Sequence, residues 1–161
     1  MARIAKFMKV SYPQFSKAVG EDTEDLKKIW YDIQLPARAT AGSAGYDFRM
    51  PFDMVFEAGE ARVIPTGIRA CIDEGWVLVC VPRSGLGFKK HEQLDNTVGV
   101  IDSDYFYSDN EGHIMCKIRF DERTILKKGD RFVQGIFLPY GLTCDDDVSV
   151  QRNGGMGSTG K

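Results

Sequence analysis

From Ile33 onward the chain is a series of short apolar runs broken by turn sequences, EAGE, DEG, DNEG and KKGD. Each break carries glycine beside charged or amide residues, the side chains that let a backbone reverse. Runs this short, punctuated this often, leave no room for long helices and predict an all-β sandwich or barrel. The clearest strand is HIMCKIRF, where Ile114, Cys116, Ile118 and Phe120 alternate with His113, Met115, Lys117 and Arg119, giving one apolar and one polar face. GWVLVCVP and RFVQGIFLPY are more uniformly apolar and are expected to lie deeper.

The first 32 residues read differently. SYPQFSKAV opens with an S-x-x-Q capping box and a proline in its first turn, and EDTEDLKKIW places acids before lysines. Residues 1–32 are therefore expected to be a helical extension, 33–150 the β domain, and 151–161 a glycine-rich C-terminal arm of the same single domain. At 43% hydrophobic content, 161 residues suffice for a real core. Twenty-one basic against 23 acidic residues, with no basic stripe, argue against a nucleic-acid polymer as partner. The four cysteines have no paired spacing, and no signal peptide or membrane span is evident, so a reduced, cytoplasmic protein away from the membrane is expected. Two histidines, His91 and His113, are too few for a multi-histidine zinc site or a comfortable Ser-His-Asp triad, and both read as surface or strand residues.

Three stretches depart from plain strand and turn. In PRSGLGFKK a proline-terminated strand runs into Arg83, Ser84 and Gly85, either an ordinary strand-to-helix turn or one whose exposed amides suit phosphate. In NTVGVIDSDYFYSDNEG the residues Asn96, Asp102, Asp104 and Tyr105 gather around an expected hairpin. Asp102, at the end of an apolar run, is either a partly desolvated base able to accept a proton from water or a turn residue capping its own backbone. The chain closes on RNGGMGSTGK. Its G-x-x-x-x-G-K spacing fails as a phosphate loop because no hydroxyl residue or helix follows the lysine. A loose terminus and an arm that folds Arg152, Ser158 and Thr159 over an anion both remain.

Taken in order, AGSAGYDF, PRSGLG, NTVGVIDSDY, RFVQGIFLP and GGMGSTG resemble the five motifs of the homotrimeric dUTPases, over the chain from Ala41 to its end. The resemblance implies a jelly-roll β protomer, a homotrimer with active sites at subunit interfaces, Mg²⁺, and hydrolysis of dUTP to dUMP and pyrophosphate. By the same resemblance Asp102 is the general base and Asp47 supports the water shell of a metal held mainly by phosphates. Arg83, Ser84 and Gly85 hold the phosphates with help from Gln134. Asn96 and the backbone of Val100, Ile101 and Met115 read uracil, while Tyr105 lies against the sugar and excludes a 2′-hydroxyl. A neighbour's arm brings Arg152, Ser158 and Thr159 to the γ-phosphate, with Gly157 permitting closure and Met156 covering the base. Three departures stand out: Met156 replaces the usual phenylalanine, one residue is missing between Arg152 and the glycine core, and FYSDNEG is inserted after Tyr105, lengthening the expected hairpin tip. Two other readings carry over: a dCTP deaminase, which shares the fold but needs a glutamate motif not found here, and a dUTP-responsive binding protein signalling through its helices or insertion.

Overall fold

Antiparallel pairing of short strands organises the computed structural model, which describes residues 2–150 and residue 152. The chain runs through β1 (Ala5–Lys9), α1 (Tyr12–Val19), α2 (Glu24–Asp32), β2 (Ala37–Arg38), β3 (Tyr46–Arg49), β4 (Met54–Phe56) and β5 (Arg62–Pro65). It continues through β6 (Ile68–Ile72), β7 (Trp76–Pro82), α3 (Ser84–Lys90), β8 (Gln93–Leu94), β9 (Gly99–Ile101) and a 3-10 turn at Ser103–Tyr107. β10 (Met115–Arg119), β11 (Thr124–Leu126) and β12 (Arg131–Pro139) complete it. The main sheet has five strands in the order β2-β3-β12-β7-β9; β5-β10-β8, β1-β6 and β11-β4 form smaller sheets. This is the β architecture expected from the turn spacing, and it agrees with the jelly roll that the family resemblance implies; partly buried aromatics join its layers. Phe7 of β1 lies 5.4 to 5.7 Å, ring to ring, from Tyr46, Phe48 and Phe137 of the main sheet.

The N-terminal segment is not purely helical. AKFMK forms β1, paired residue for residue with β6 from Ala5 opposite Ile72 to Lys9 opposite Ile68. Its propensity is weak, and the strand is supplied by a partner far along the chain, an effect that local composition does not carry. The two helices follow as capped units. Ser11 Oγ accepts from the Gln14 amide and Thr23 Oγ1 from the Leu26 amide. The Ser11 amide, which a reciprocal capping box would give to Gln14, instead donates to Glu111 at 2.8 Å. Lys9 Nζ closes the C-terminal end of α2 by donating to the carbonyls of Trp30 and Tyr31.

The central strands are less deep than expected. Leu78, Cys80, Phe132 and Val133 are buried, while Val77, Val79, Val81 and Ile136 are only half-buried and Val100 of β9 is 58% exposed. One face of the main sheet fills the core; the other carries the half-buried Val77, Val79, Val81 and Ile136 with the exposed Val100 and Leu138 beside them. The pairing of β7 and β12 accounts for the uniform apolar texture of both runs, since each is covered on one face and sticky on the other.

His113 is also deeper than the alternation of HIMCKIRF implied. It is fully buried, and its Nε2 accepts from the Gly67 amide at 2.8 Å. Gly67, at φ 71°, also accepts from the Val10 amide, and a Cβ there would lie 2.4 Å from Ile33 Cδ1. Only glycine fits where β1, the N-terminal helices and His113 meet. Burial lowers the His113 pKa to about 4, because a charged ring there would be stripped of solvent, and the nearby Glu111 carboxylate opposes this only in part. A histidine neutral in the fold and free to protonate when unfolded weakens the fold as pH falls. Urea unfolding from pH 7 to 4 should therefore show stability falling below about pH 6.5. The loss should be on the order of 3 kcal/mol below pH 4 relative to His113→Gln, whose amide oxygen can still accept from Gly67. A difference between the two proteins that stays flat across this range contradicts the assignment.

Candidate active site

The residues singled out in the sequence fall into two groups at opposite ends of β7. At its C-terminal end Asp47 of β3 stands opposite Gln134 of β12, which in turn stands opposite Val81. Asp47 is 9% exposed, and its carboxylate accepts from two guanidiniums, Arg83 Nε at 2.8 Å and Arg131 at 3.1 Å. Arg131 escaped the sequence reading because an arginine after KKGD looks like a turn residue; only the β3–β12 ladder brings it to Asp47. Gln134 lies over Gly45, where a Cβ would meet Gln134 Oε1 at 2.5 Å, so the glycine of AGYDF makes room for the amide. Arg83 precedes α3, and its carbonyl accepts from the Leu86 and Gly87 amides. Ser84 and Gly85 are exposed, and their amides open a helix with no intrahelical acceptor before them. The turn thus offers a cation, a hydroxyl and two forward-facing donors, a set suited to phosphate oxygens.

Behind this turn sits Glu92, 4% exposed, its carboxylate oxygens without a hydrogen bond of normal geometry among the described residues. Burial pushes its pKa up to about 8 against the opposing pull of Arg83. Nothing in KKHEQ marks it, because a glutamate in a polar run reads as solvated. Nearby burial also raises the thiol pKa values of Cys80, to about 12, and of Cys116, which keeps both thiols protonated and unreactive.

At the other end of β7, β9 pairs Gly99 with Cys80 and Ile101 with Leu78, so Asp102 emerges beyond that point. Asp102 precedes the 3-10 turn but makes no side-chain cap to it; its side chain, 40% exposed, is ion-paired with Arg152. Arg152 Nε also lies 3.2 Å from Asp104, and its guanidinium stands 5.9 Å above the Tyr105 ring. Tyr105 is buried, its hydroxyl donating to the His113 carbonyl and accepting from Asn110.

The stretch around Asn96 is not the simple hairpin expected. β8 pairs with β10 and β9 with β7, so the turn through Asn96 and Thr97 joins strands of two different sheets. Thr97 takes φ 64° to make that switch. β9 is the outer strand of the main sheet, which leaves the main-chain groups on one side of Val100 and Ile101 unpaired by any neighbouring strand of that sheet. Met115 opens β10, half-buried, opposite Pro65. The insertion after Tyr105 is not a hairpin tip either; it folds back onto β6 and the start of α1. Met156, Gly157, Ser158 and Thr159 lie outside the described residues. Among the described residues no group of three or more His, Cys, Asp or Glu is arranged to hold a metal ion, and no helix is long and apolar enough to cross a membrane.

Comparison with known proteins gives this arrangement a lineage. The dUTPase family model matches residues 31–160. The chain is 44% identical over 134 residues to the deoxyuridine 5'-triphosphate nucleotidohydrolase of Lactococcus lactis subsp. lactis (strain IL1403), covering 80% of this chain and 89% of the relative. It is 41% identical over 143 residues to the enzyme of the same name from Shewanella sp. (strain ANA-3), covering 83% and 91%. Among solved structures, the dUTPase from Streptococcus mutans superposes with a TM-score of 0.66 at 35% identity, over 85% of this chain and 97% of that one. A mutant dUTPase from phage phi11 of S. aureus shares the fold, with a TM-score of 0.66 at 18% identity over 92% and 98%. With the Arg83 turn, the Asp102 end and the β frame between them all falling inside the matched region, the chain belongs to the dUTPase family.

Proposed function

We propose that the chain hydrolyses dUTP to dUMP and pyrophosphate at sites shared between copies of itself, assembled as a homotrimer. The observation that carries this reading is the separation of its two functional ends. Ile101 stands opposite Leu78, whereas Arg83 follows Pro82. At about 3.3 Å per strand residue, Asp102 and Arg83 of one chain are roughly 15–20 Å apart, too far to act on the same phosphorus. A complete site therefore takes the Arg83 end of one copy and the Asp102 end of another. The half-buried apolar face of the main sheet and the exposed Phe88, Val100, Leu138, Leu142 and Val150 give such an association a driving force. A head-to-tail contact of this kind closes into a ring in which every site is equivalent.

In the assembled site Arg83, Ser84 and Gly85 take the phosphates, with Asp47 and Gln134 aiming them. Asp102 orients water toward the α-phosphorus and accepts its proton as the bond to the bridging oxygen breaks and pyrophosphate leaves. Arg152, which neutralises Asp102 in the single chain, is drawn away by the larger charge of the triphosphate, and this frees the base. The unpaired edge of β9, with Asn96 and Met115, reads the uracil, and the Tyr105 ring meets the sugar. Mg²⁺, which would neutralise and align the phosphates, fits as an ion that arrives with them. Both oxygens of Asp47 are taken by arginines, so Asp47 reaches such an ion only through water. The unpaired cysteines of the described residues suit a reducing compartment such as the cytoplasm.

Pyrophosphate release from dUTP, dCTP, dTTP and UTP is expected to occur efficiently with dUTP alone; ammonia release from dCTP would overturn the reading. Asp102→Asn should keep the fold and nucleotide binding while lowering kcat by about two or more orders of magnitude, the usual worth of a general base. Turnover near that of the unmodified protein would remove Asp102 from the mechanism.

A further inference from the structure

The insertion 106–112 has a defined place in the structure: it is built against Tyr105. Arg69 of β6 stacks on Phe106, its guanidinium carbon 3.6 Å from the ring centroid, and donates to the Phe106 carbonyl at 2.6 Å. At the far end Glu111 accepts from both the amide and the hydroxyl of Ser11, which fixes the loop to the start of α1. Glu111 and Gly112 take φ 59° and 69°, and a Cβ on Gly112 would lie 2.7 Å from both Phe106 Cα and the Tyr105 carbonyl oxygen. The loop is thus pressed onto the backbone of Tyr105 as closely as glycine allows.

Between these anchors stands Asn110. Its Oδ1 accepts from the Gly112 amide at 3.1 Å, which orients the side-chain amide, and its Nδ2 donates to the Tyr105 hydroxyl at 2.7 Å. That hydroxyl donates in turn to the His113 carbonyl at 2.9 Å, while the His113 amide donates to the Asn110 carbonyl at 3.1 Å. The tyrosine oxygen has one donor and one acceptor, both supplied from within eight residues. A phenol held at its ring alone can pivot; one held at its oxygen from two sides cannot.

We propose that Asn110 is a positioning residue for sugar discrimination, and that the insertion exists to clamp Tyr105 at a fixed height beneath the deoxyribose. This rests on the reading of Tyr105 as the surface against which a 2′-hydroxyl clashes. Steric exclusion of a single oxygen requires a wall that does not yield by a few tenths of an ångström, and the clamp supplies that stiffness.

The test compares kcat/KM for UTP and dUTP in Asn110→Ala and in the isosteric Asn110→Asp, which keeps the acceptor for Gly112 but loses the donor to Tyr105. Both variants should raise UTP use relative to dUTP by about 5- to 20-fold, with kcat on dUTP changed less than about threefold. In a Tyr105→Phe background, which has no hydroxyl to clamp, Asn110→Asp should add no further loss of discrimination. Unchanged discrimination in the folded Asn110→Asp protein, or a fall in thermal stability without a fall in discrimination, overturns the proposal. Tyr105→Ala separates the two layers. If it leaves discrimination intact, the sugar reading of Tyr105 fails and the clamp falls with it; if Tyr105→Ala loses discrimination while the Asn110 variants keep it, only the clamp fails.

Discussion

The antiparallel ladder that sets β7 between β12 and β9 fixes where every functional group of this chain can be. Register in an antiparallel sheet is discrete, because a slip by one residue turns each side chain to the opposite face. With Gln134 opposite Val81 and Asp47 opposite Gln134, the Asp47 carboxylate is delivered beside Arg83 at one end of β7. With Ile101 opposite Leu78, Asp102 is delivered to the other end. The buried residues Leu78, Cys80, Phe48, Phe132 and Val133 lock that register, so core packing and the placement of chemistry are one constraint.

Electrostatics completes the picture at each end. The Asp47 carboxylate is nearly buried and is satisfied by Arg83 and Arg131, which leaves the two arginines pre-aimed and the carboxylate fully partnered. Asp102 is more exposed and is held by Arg152. The first arrangement is a near-buried, doubly paired cluster; the second is a weaker pair, since an ion pair on a half-exposed carboxylate contributes little. The two ends of β7 thus differ in charge: one carboxylate is set against two guanidiniums at the Asp47 end, and two carboxylates against one at the Asp102 end.

Much of this was legible in the sequence. Turn spacing gave the β architecture, and the alternation of HIMCKIRF correctly assigned Ile114, Cys116, Ile118 and Phe120 to the core. The motifs drew attention to Arg83, Asp47 and Asp102, where the structure finds their charges paired. What escaped was long-range. β1 is a strand only because β6 lies beside it, and Arg131 reaches Asp47 only through strand pairing. Glu92 is buried although His91 and Gln93 beside it are polar, and His113 is buried although the alternation of its strand puts it on the polar face. The insertion read as a longer hairpin tip because nothing local reveals that Arg69 and Ser11 receive it. Periodicity reports which face of an element is apolar; it does not report which distant segment covers that face.

The central claim is that Arg83 and Asp102 meet only across a boundary between copies. Two inactive proteins, Arg83→Ala and Asp102→Asn, can be unfolded together in equal amounts, refolded, and assayed for pyrophosphate release from dUTP. Sites shared between neighbours in a closed ring should leave an intact Arg83 end beside an intact Asp102 end in about a quarter of cases. The mixture should then recover about a quarter of the unmodified activity, while either protein refolded alone recovers none. A mixture that forms mixed assemblies by mass yet stays as inactive as its components would show that both residues serve the site of their own chain, and would contradict this account.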